Sequence, residues 1–234
     1  MAFAFRSEAQ DFDGVKAEYI RALELAPNDA EVKFFMGYQF AIFGELEQAI
    51  NVTREALATE PLRAGWYAWL GNYLLGVNRL DEAESAVRRA LELQPAAQGF
   101  YEQLTIIEIK RGNAQAALAA AQRGLSGGPW QDASFALARQ IASDRSAADA
   151  ALKTLIEKDA GISAYQIAPV YALRNDANTT FEWLDRAWTI RDAAIQNILF
   201  DPFILRFKDD PRFAKFCRRV RLPVPGETPV GKST

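Results

Sequence analysis

The sequence predicts an all-α solenoid of about five to six stacked helix pairs, each too small to bury its apolar face alone. Three observations predict it. Pro27, Pro61, Pro95 and Pro129 stand at one fixed step of 34 residues. Other columns keep that step: Ala22, Ala56 and Ala90; Leu23, Leu57, Leu91 and Leu125; Gly37 and Gly71; Ala49, Ala83 and Ala117; Gly44 and Gly112. Within each unit, apolar residues recur at three- and four-residue spacing, the helical period, and nowhere in the alternating β-branched pattern of a strand.

The first unit starts late. Asp11-Phe12-Asp13-Gly14, Tyr19, Ala22 and Pro27 fit a second helix, while the space before them is too short for a full first helix. We therefore expect a fragment of a longer protein or a trimmed start. The second unit is the most regular. AEVKFFMGYQFAIF (30–43) has the density of a buried helix, Gly44-Glu45 breaks it, and LEQAINVTREALA (46–58) carries an apolar stripe through Leu46, Ala49, Ile50, Thr53, Ala56 and Leu57. Asn28 with Glu31 is expected to cap its first helix, and Pro61 ends the second. The third unit repeats this, with Asn78 in the slot that holds Gly44. In the fourth, Gly124 replaces the small Ala and Ser126-Gly127-Gly128 loosens the exit.

Beyond Trp130 the register decays. Residues 133–158 and 164–192 still pattern as helix pairs, with Pro169 expected to kink the latter's first helix. In 199–222, Asp201-Pro202 and Asp210-Pro211 suit helix starts, and Phe213, Phe216, Cys217 and Val220 share one face. This element is expected to cap the open end of the stack. The division expected is thus 1–192 solenoid, regular to about 129 and degenerate over 130–192, then 193–222 cap, then a Pro/Gly-rich disordered tail at 223–234.

Repeated small residues have a mechanical reading. Gly inside a helix costs about 1 kcal/mol against Ala, so its return at Gly37 and Gly71 indicates a helix passing close over the missing side chain.

These features resemble the tetratricopeptide repeat (TPR) family. The resemblance is carried by the step of 34 and by Met36-Gly37, Phe40, Gly44, Ala49, Ala56 and Pro61, then Leu70-Gly71, Ala83, Ala90 and Pro95. It implies a right-handed superhelix whose first helices line a concave face. The carboxy-terminal region, with YALRND at 171–176, FEWLDRAW at 181–188 and DPFILRFKDDPRFAKFCRRVRLP at 201–223, also resembles the end region of bacterial multidomain regulators. Their parent domains are adenylate cyclases, kinases or winged helices.

Composition excludes much chemistry. The 234 residues contain no His, so Ser-His-Asp and Cys-His catalysis and histidine metal sites are excluded. One Cys permits neither an internal disulfide nor a multi-cysteine cluster. A net charge of -3 argues against a general nucleic-acid binder. No apolar run approaches the roughly 18 residues of a membrane span, and the start lacks the pattern of a signal peptide. We expect a cytoplasmic protein that is not an enzyme and needs no cofactor.

By family analogy the inward slots are Glu31, Phe34, Tyr38 and Ile42; Ala68, Asn72 and Leu75; and Glu102, Ile106 and Ile109. The candidate partner-binding face is Phe34, Tyr38, Ile42, Asn72, Leu75 and Ile106, suited to a protein or peptide ligand with apolar anchors. Any one aromatic is more often core. As a group, though, Phe34, Phe35, Tyr38, Phe40 and Phe43 are too many for one buried stripe, so some are expected to be exposed. The slots for a chaperone-tail carboxylate clamp hold no basic residue, which argues against that use. Seven basic residues between Arg206 and Arg221, against Asp209 and Asp210, are expected to form a solvated face pairing acids of the previous unit. Cys217 is expected to be a small buried residue. The function expected is a protein–protein interaction scaffold, a regulatory module of a larger bacterial signalling protein. The alternative is a self-associating module that forms a homodimer.

Overall fold

The computed structural model describes residues 12–124 and 128–227. Among these residues there are twelve α-helices, four short 3-10 segments and no strand. Helix α1 (Phe12–Leu25) is the second helix of the first unit. Four complete pairs follow: α2 (Ala30–Ile42) with α3 (Leu46–Thr59), α4 (Ala64–Gly76) with α5 (Leu80–Leu93), α6 (Tyr101–Lys110) with α7 (Ala114–Arg123), and α8 (Pro129–Gln140) with α9 (Arg145–Asp159). The last pair is α10 (Ala168–Leu173) with α11 (Ala177–Thr189), and α12 (Pro211–Arg219) ends the fold.

The small slots work as the repeat implies, and the close neighbour is the second helix of the same unit. A Cβ added at Gly37 would lie 2.5 Å from Thr53 Oγ1 and 3.2 Å from the Ala49 carbonyl oxygen. One added at Gly71 would meet Val87 Cγ2 at 2.7 Å. These contacts are one step of the repeat apart, so each unit closes its pair by one packing rule. Four of the five turns between paired helices hold a left-handed residue: Gly44 and Gly112 both have φ 75°, and Asn78 and Asn175 hold the slot at φ 61°. Asn tolerates this region better than other side chains, because its short amide bonds locally.

Some local expectations need correction. The cap of α2 is Asp29, not Asn28: Asp29 Oδ1 accepts from the Val32 N–H at 2.9 Å. Pro169 does not kink a helix. It stands in the first turn of α10, where a 3-10 segment over Ala164–Ile167 gives way to α-helix. Of the expected tail, residues 223–227 are described, and Glu227 pairs with Arg218. Residues 1–11, Leu125-Ser126-Gly127 and 228–234, on which the expectations for the chain start, the loose exit and the remaining tail fall, lie outside the described residues.

The largest difference concerns the cap. Helix α12 does pack on α11 and buries Phe213, Phe216, Cys217 and Val220. The segment before it does something else. Residues 193–207 fold back from the last pair and reach the second and third units. Two cores result. One joins α2 to α5, and it includes Phe200 from the returning segment. The other spans the last pairs and the cap, and it includes Ile42 and Phe43 from the end of α2. Each core therefore borrows side chains from the opposite end of the chain.

Candidate partner-binding groove

The first helices α2, α4 and α6 lie side by side, because each is the leading helix of a consecutive unit. Their shared inner face has two halves. Toward the helix starts, Glu31 and Gly65 are exposed, and so is Gly99 just before α6; Glu102 is half-buried. At mid-helix, Tyr38, Asn72 and Ile106 are half-buried neighbours across the three units. Toward the helix ends, Ile42, Leu75 and Ile109 are buried.

The returning segment fills that last half. Leu199 packs over Gly44, where its side chain lies in ordinary contact range of a Cβ built at the glycine. The Phe200 ring meets Tyr73 edge-on at 5.9 Å and Trp69 edge-on at 6.3 Å. Gly76 lets the segment approach: a Cβ there would lie 3.0 Å from the Phe200 carbonyl oxygen, 3.2 Å from its Cα and 2.8 Å from Leu46 Cδ1. Asp201 Oδ1 then accepts from the N–H groups of Phe203 and Ile204, capping the next turn, and Asp201 Oδ2 accepts from the Tyr165 hydroxyl at 3.1 Å. Asp192 anchors the start of the fold-back by accepting from Tyr165 N–H at 2.9 Å.

Of the six side chains expected to face a partner, the structure leaves Tyr38, Asn72 and Ile106 partly open. Phe34 is buried, stacked on Trp66 with centroids 4.8 Å apart and planes 8° apart. Ile42 and Leu75 are buried at 2% and 1% exposure, the former among side chains of the returning core. The aromatics on and just after α2 divide between buried and partly open positions. Phe43 is buried, and Phe35, Tyr38 and Phe40 are half-buried. They fit because α2 has neighbours besides its paired helix α3: Phe35 meets Tyr19 of α1, Phe34 meets α4, and Phe43 meets the returning core.

Electrostatics single out one spot. The Glu102 carboxyl is pushed up to about 8 by burial and by the nearby charge of Asp201. Burial likewise raises Asp201, against the hydrogen bonds that favour its ionised form. Tyr38 is raised by burial, as is Tyr73, whose buried hydroxyl has no hydrogen-bond partner among the described residues. The basic cluster near the carboxy terminus behaves as a solvated face. Arg219 pairs with Asp185 and Arg212 donates to Asn178, both on α11, and Arg206 donates to the Ala172 carbonyl at 2.7 Å. Cys217 is fully buried, and burial pushes its thiol up to about 12.

The signal that marks the returning segment is compositional. Residues 198–204 read ILFDPFI, apolar on every face around one Asp-Pro turn. A capping helix needs a polar side, and this run has none.

No family model and no curated protein matches the sequence. Solved structures share its fold. PilW, a widely conserved type IV pilus biogenesis factor, is similar with a TM-score of 0.60 at 19% identity, covering 80% of this chain and 90% of that one. MamA is similar with a TM-score of 0.54 at 24% identity, over 64% of this chain and 89% of that one. PilF of Pseudomonas aeruginosa is similar with a TM-score of 0.55 at 17% identity, over 80% and 87%. The fold is an all-α solenoid of TPR helix pairs. No helix among the described residues is long and apolar enough to cross a membrane.

Proposed function

We propose that the chain is a non-catalytic protein–protein interaction scaffold that receives a segment of a partner on the inner face of its first helices. The observation that carries this reading is the open half of that face. Tyr38, Asn72 and Ile106 present partly accessible side chains across three consecutive units, and Gly65 and Gly99 leave open space beside them. A strip of alternating aromatic, amide and aliphatic side chains over bare backbone suits a linear segment rather than a reaction. The resemblance of the carboxy-terminal region to bacterial regulators makes a regulatory module of a larger signalling protein the context we propose.

The test is site-specific photocrosslinking in cells. A photoreactive residue at Asn72 should capture a defined protein, and one at Arg88, on the other helix of that pair, should not. Equal labelling from both positions would refute the groove as the binding face.

A second reading has its own observation. Leu25, Leu62, Trp130 and Ile162 are exposed, and each stands at a connection from one helix pair to the next. A stack of antiparallel pairs sets such connections along one edge. Self-association through that edge predicts a mass that rises with concentration, whereas a peptide-binding monomer stays near 26.0 kDa.

A further inference from the structure

The repeat carries ion pairs as well as helices, and in the fourth unit two of them lose one member. Arg54 on α3 donates to Glu82 on α5 at 2.6 Å, joining the second unit to the third. One step of 34 residues later the same positions hold Arg88 and Ala116. The arginine is kept and its carboxylate is gone. Arg89 repeats the pattern: it donates to Glu92 at 2.9 Å, while one step on stand Arg123 and Ser126. Arg123 lies over the Tyr101 ring at 4.7 Å and pairs with no carboxylate among the described residues. Arg88 turns back to Glu84 on its own helix, yet Glu84 is also held by Arg111 at 2.6 Å.

These two arginines flank an open cleft of about 210 Å³ between α5 and α7. Helix α6 lines it with Tyr101 and Leu104, and α7 with Ala116, Ala119 and Ala120. Glu108 lines it too, but Arg111 already pairs with that carboxylate. At the three alanine positions the second unit has Gln48, Asn51 and Val52, and the third has Glu82, Ser85 and Ala86. The fourth unit thus loses side-chain volume and negative charge at one place. The volume is below the roughly 300–1,000 Å³ of sites for drug-sized ligands, so the cleft suits side chains of a protein segment. By helical spacing, Tyr101 and Leu104 stand on a different face of α6 from Glu102, Ile106 and Ile109. The cleft is therefore separate from the inner groove.

We propose that this cleft docks an acidic segment of a partner protein. Its Asp or Glu carboxylates would meet Arg88 and Arg123, and an apolar side chain would rest on the alanines. The partner supplies what Glu82 and Glu92 supply one unit earlier. A guanidinium offers a planar fork of donors that matches a carboxylate. Freeing Arg88 costs little, because exposed pairs four residues apart on a helix contribute little, and Glu84 keeps Arg111. A photoreactive residue in place of Arg88 removes one of the two cations, so the crosslinking contrast with Asn72 still tests the inner face alone.

The experiment selects phage-displayed random peptides of about twelve residues on the full chain and on its Ala116→Glu variant, which restores the carboxylate that this unit omits. The unaltered chain should enrich peptides with two or more Asp or Glu beside an apolar residue, and the variant should not. Acidic peptides from both chains, or from neither, overturn the proposal. The most enriched peptide, labelled, is then titrated by fluorescence anisotropy. Arg88→Gln and Arg123→Gln should each weaken it roughly tenfold, and added salt should weaken it further. Arg145→Gln, at an exposed arginine of α9, should leave it unchanged. Equal loss from all three variants, or loss from none, overturns the site. Should Ala116→Glu fail to fold, the double variant Arg88→Gln, Arg123→Gln takes its place in the selection and is read in the same way.

Discussion

Two alanine substitutions on one helix should have opposite effects on stability. Gly65 and Gly71 both lie on α4, and replacing either by Ala removes the same backbone freedom from the unfolded chain. At Gly65 an added Cβ meets nothing within 4 Å, so Gly65→Ala should stabilise by about 0.5–1 kcal/mol, the propensity difference alone. At Gly71 the added Cβ would stand 2.7 Å from Val87 Cγ2, a contact that real side chains do not make. Val87 is fully buried and β-branched, so it has little freedom to turn aside. Overpacking of this kind costs about 1–3 kcal/mol. Set against the propensity gain, Gly71→Ala should be destabilising by up to about 2 kcal/mol. Thermal unfolding followed by circular dichroism should separate the two variants by several degrees, since about 1 kcal/mol shifts a chain of this size by roughly 2–4 °C. A Gly71→Ala midpoint at or above that of Gly65→Ala would refute the claim that this repeated slot is a close helix crossing.

Three further outcomes follow from the structure. Glu102 holds its proton in the folded chain up to about pH 8, while in the unfolded chain it loses it near its ordinary 4.5. The folded state thus binds more protons in that window, so stability should fall as pH rises from about 4.5 to 8 and level off above. At 1.36 kcal/mol per pK unit the full shift is at most about 5 kcal/mol, and partial solvent contact should reduce it to about 1–3 kcal/mol. Urea midpoints at the two ends of this window should show the loss, and Glu102→Gln should remove most of it. Asn78, at φ 61°, should tolerate Gly within about 0.5 kcal/mol but lose about 1–2 kcal/mol as Asn78→Val, measured by the same denaturation. The Cys217 thiol should react with a thiol reagent only as fast as the chain unfolds, because its face of α12 is buried.

The repeat made most of the architecture legible. A column of prolines and small residues states where each helix ends and where two helices touch, because those slots tolerate few alternatives. Gly37 and Gly71 were readable as close crossings from spacing alone, and the geometry names their partners as Thr53 and Val87. The fate of Ile42 and Leu75 was not readable in this way. Their slots face inward in the repeat pattern, and whether an inward slot stays open depends on what returns to it from elsewhere in the chain. That return depends on Leu199 and Phe200, more than 120 residues beyond Leu75 and outside the repeat's register. Local periodicity holds no information on such a contact. Tyr38, Asn72 and Ile106 stayed partly open because the segment turns away at Asp201, where its carboxylate caps Phe203 and Ile204.

The fold-back also changes what kind of solenoid this is. In a simple stack each unit touches only its neighbours, and stability is a sum of unit and nearest-neighbour contributions. Here Phe200 belongs to the core of the second and third units, while Ile42 and Phe43 belong to the core of the last ones. Loss of either end therefore removes apolar contacts from the other. Burying a side chain the size of Phe or Leu contributes about 1.5–3 kcal/mol, comparable to the coupling that one local packing fault costs. Such a brace ties the stack's units into a single cooperative body while it is seated.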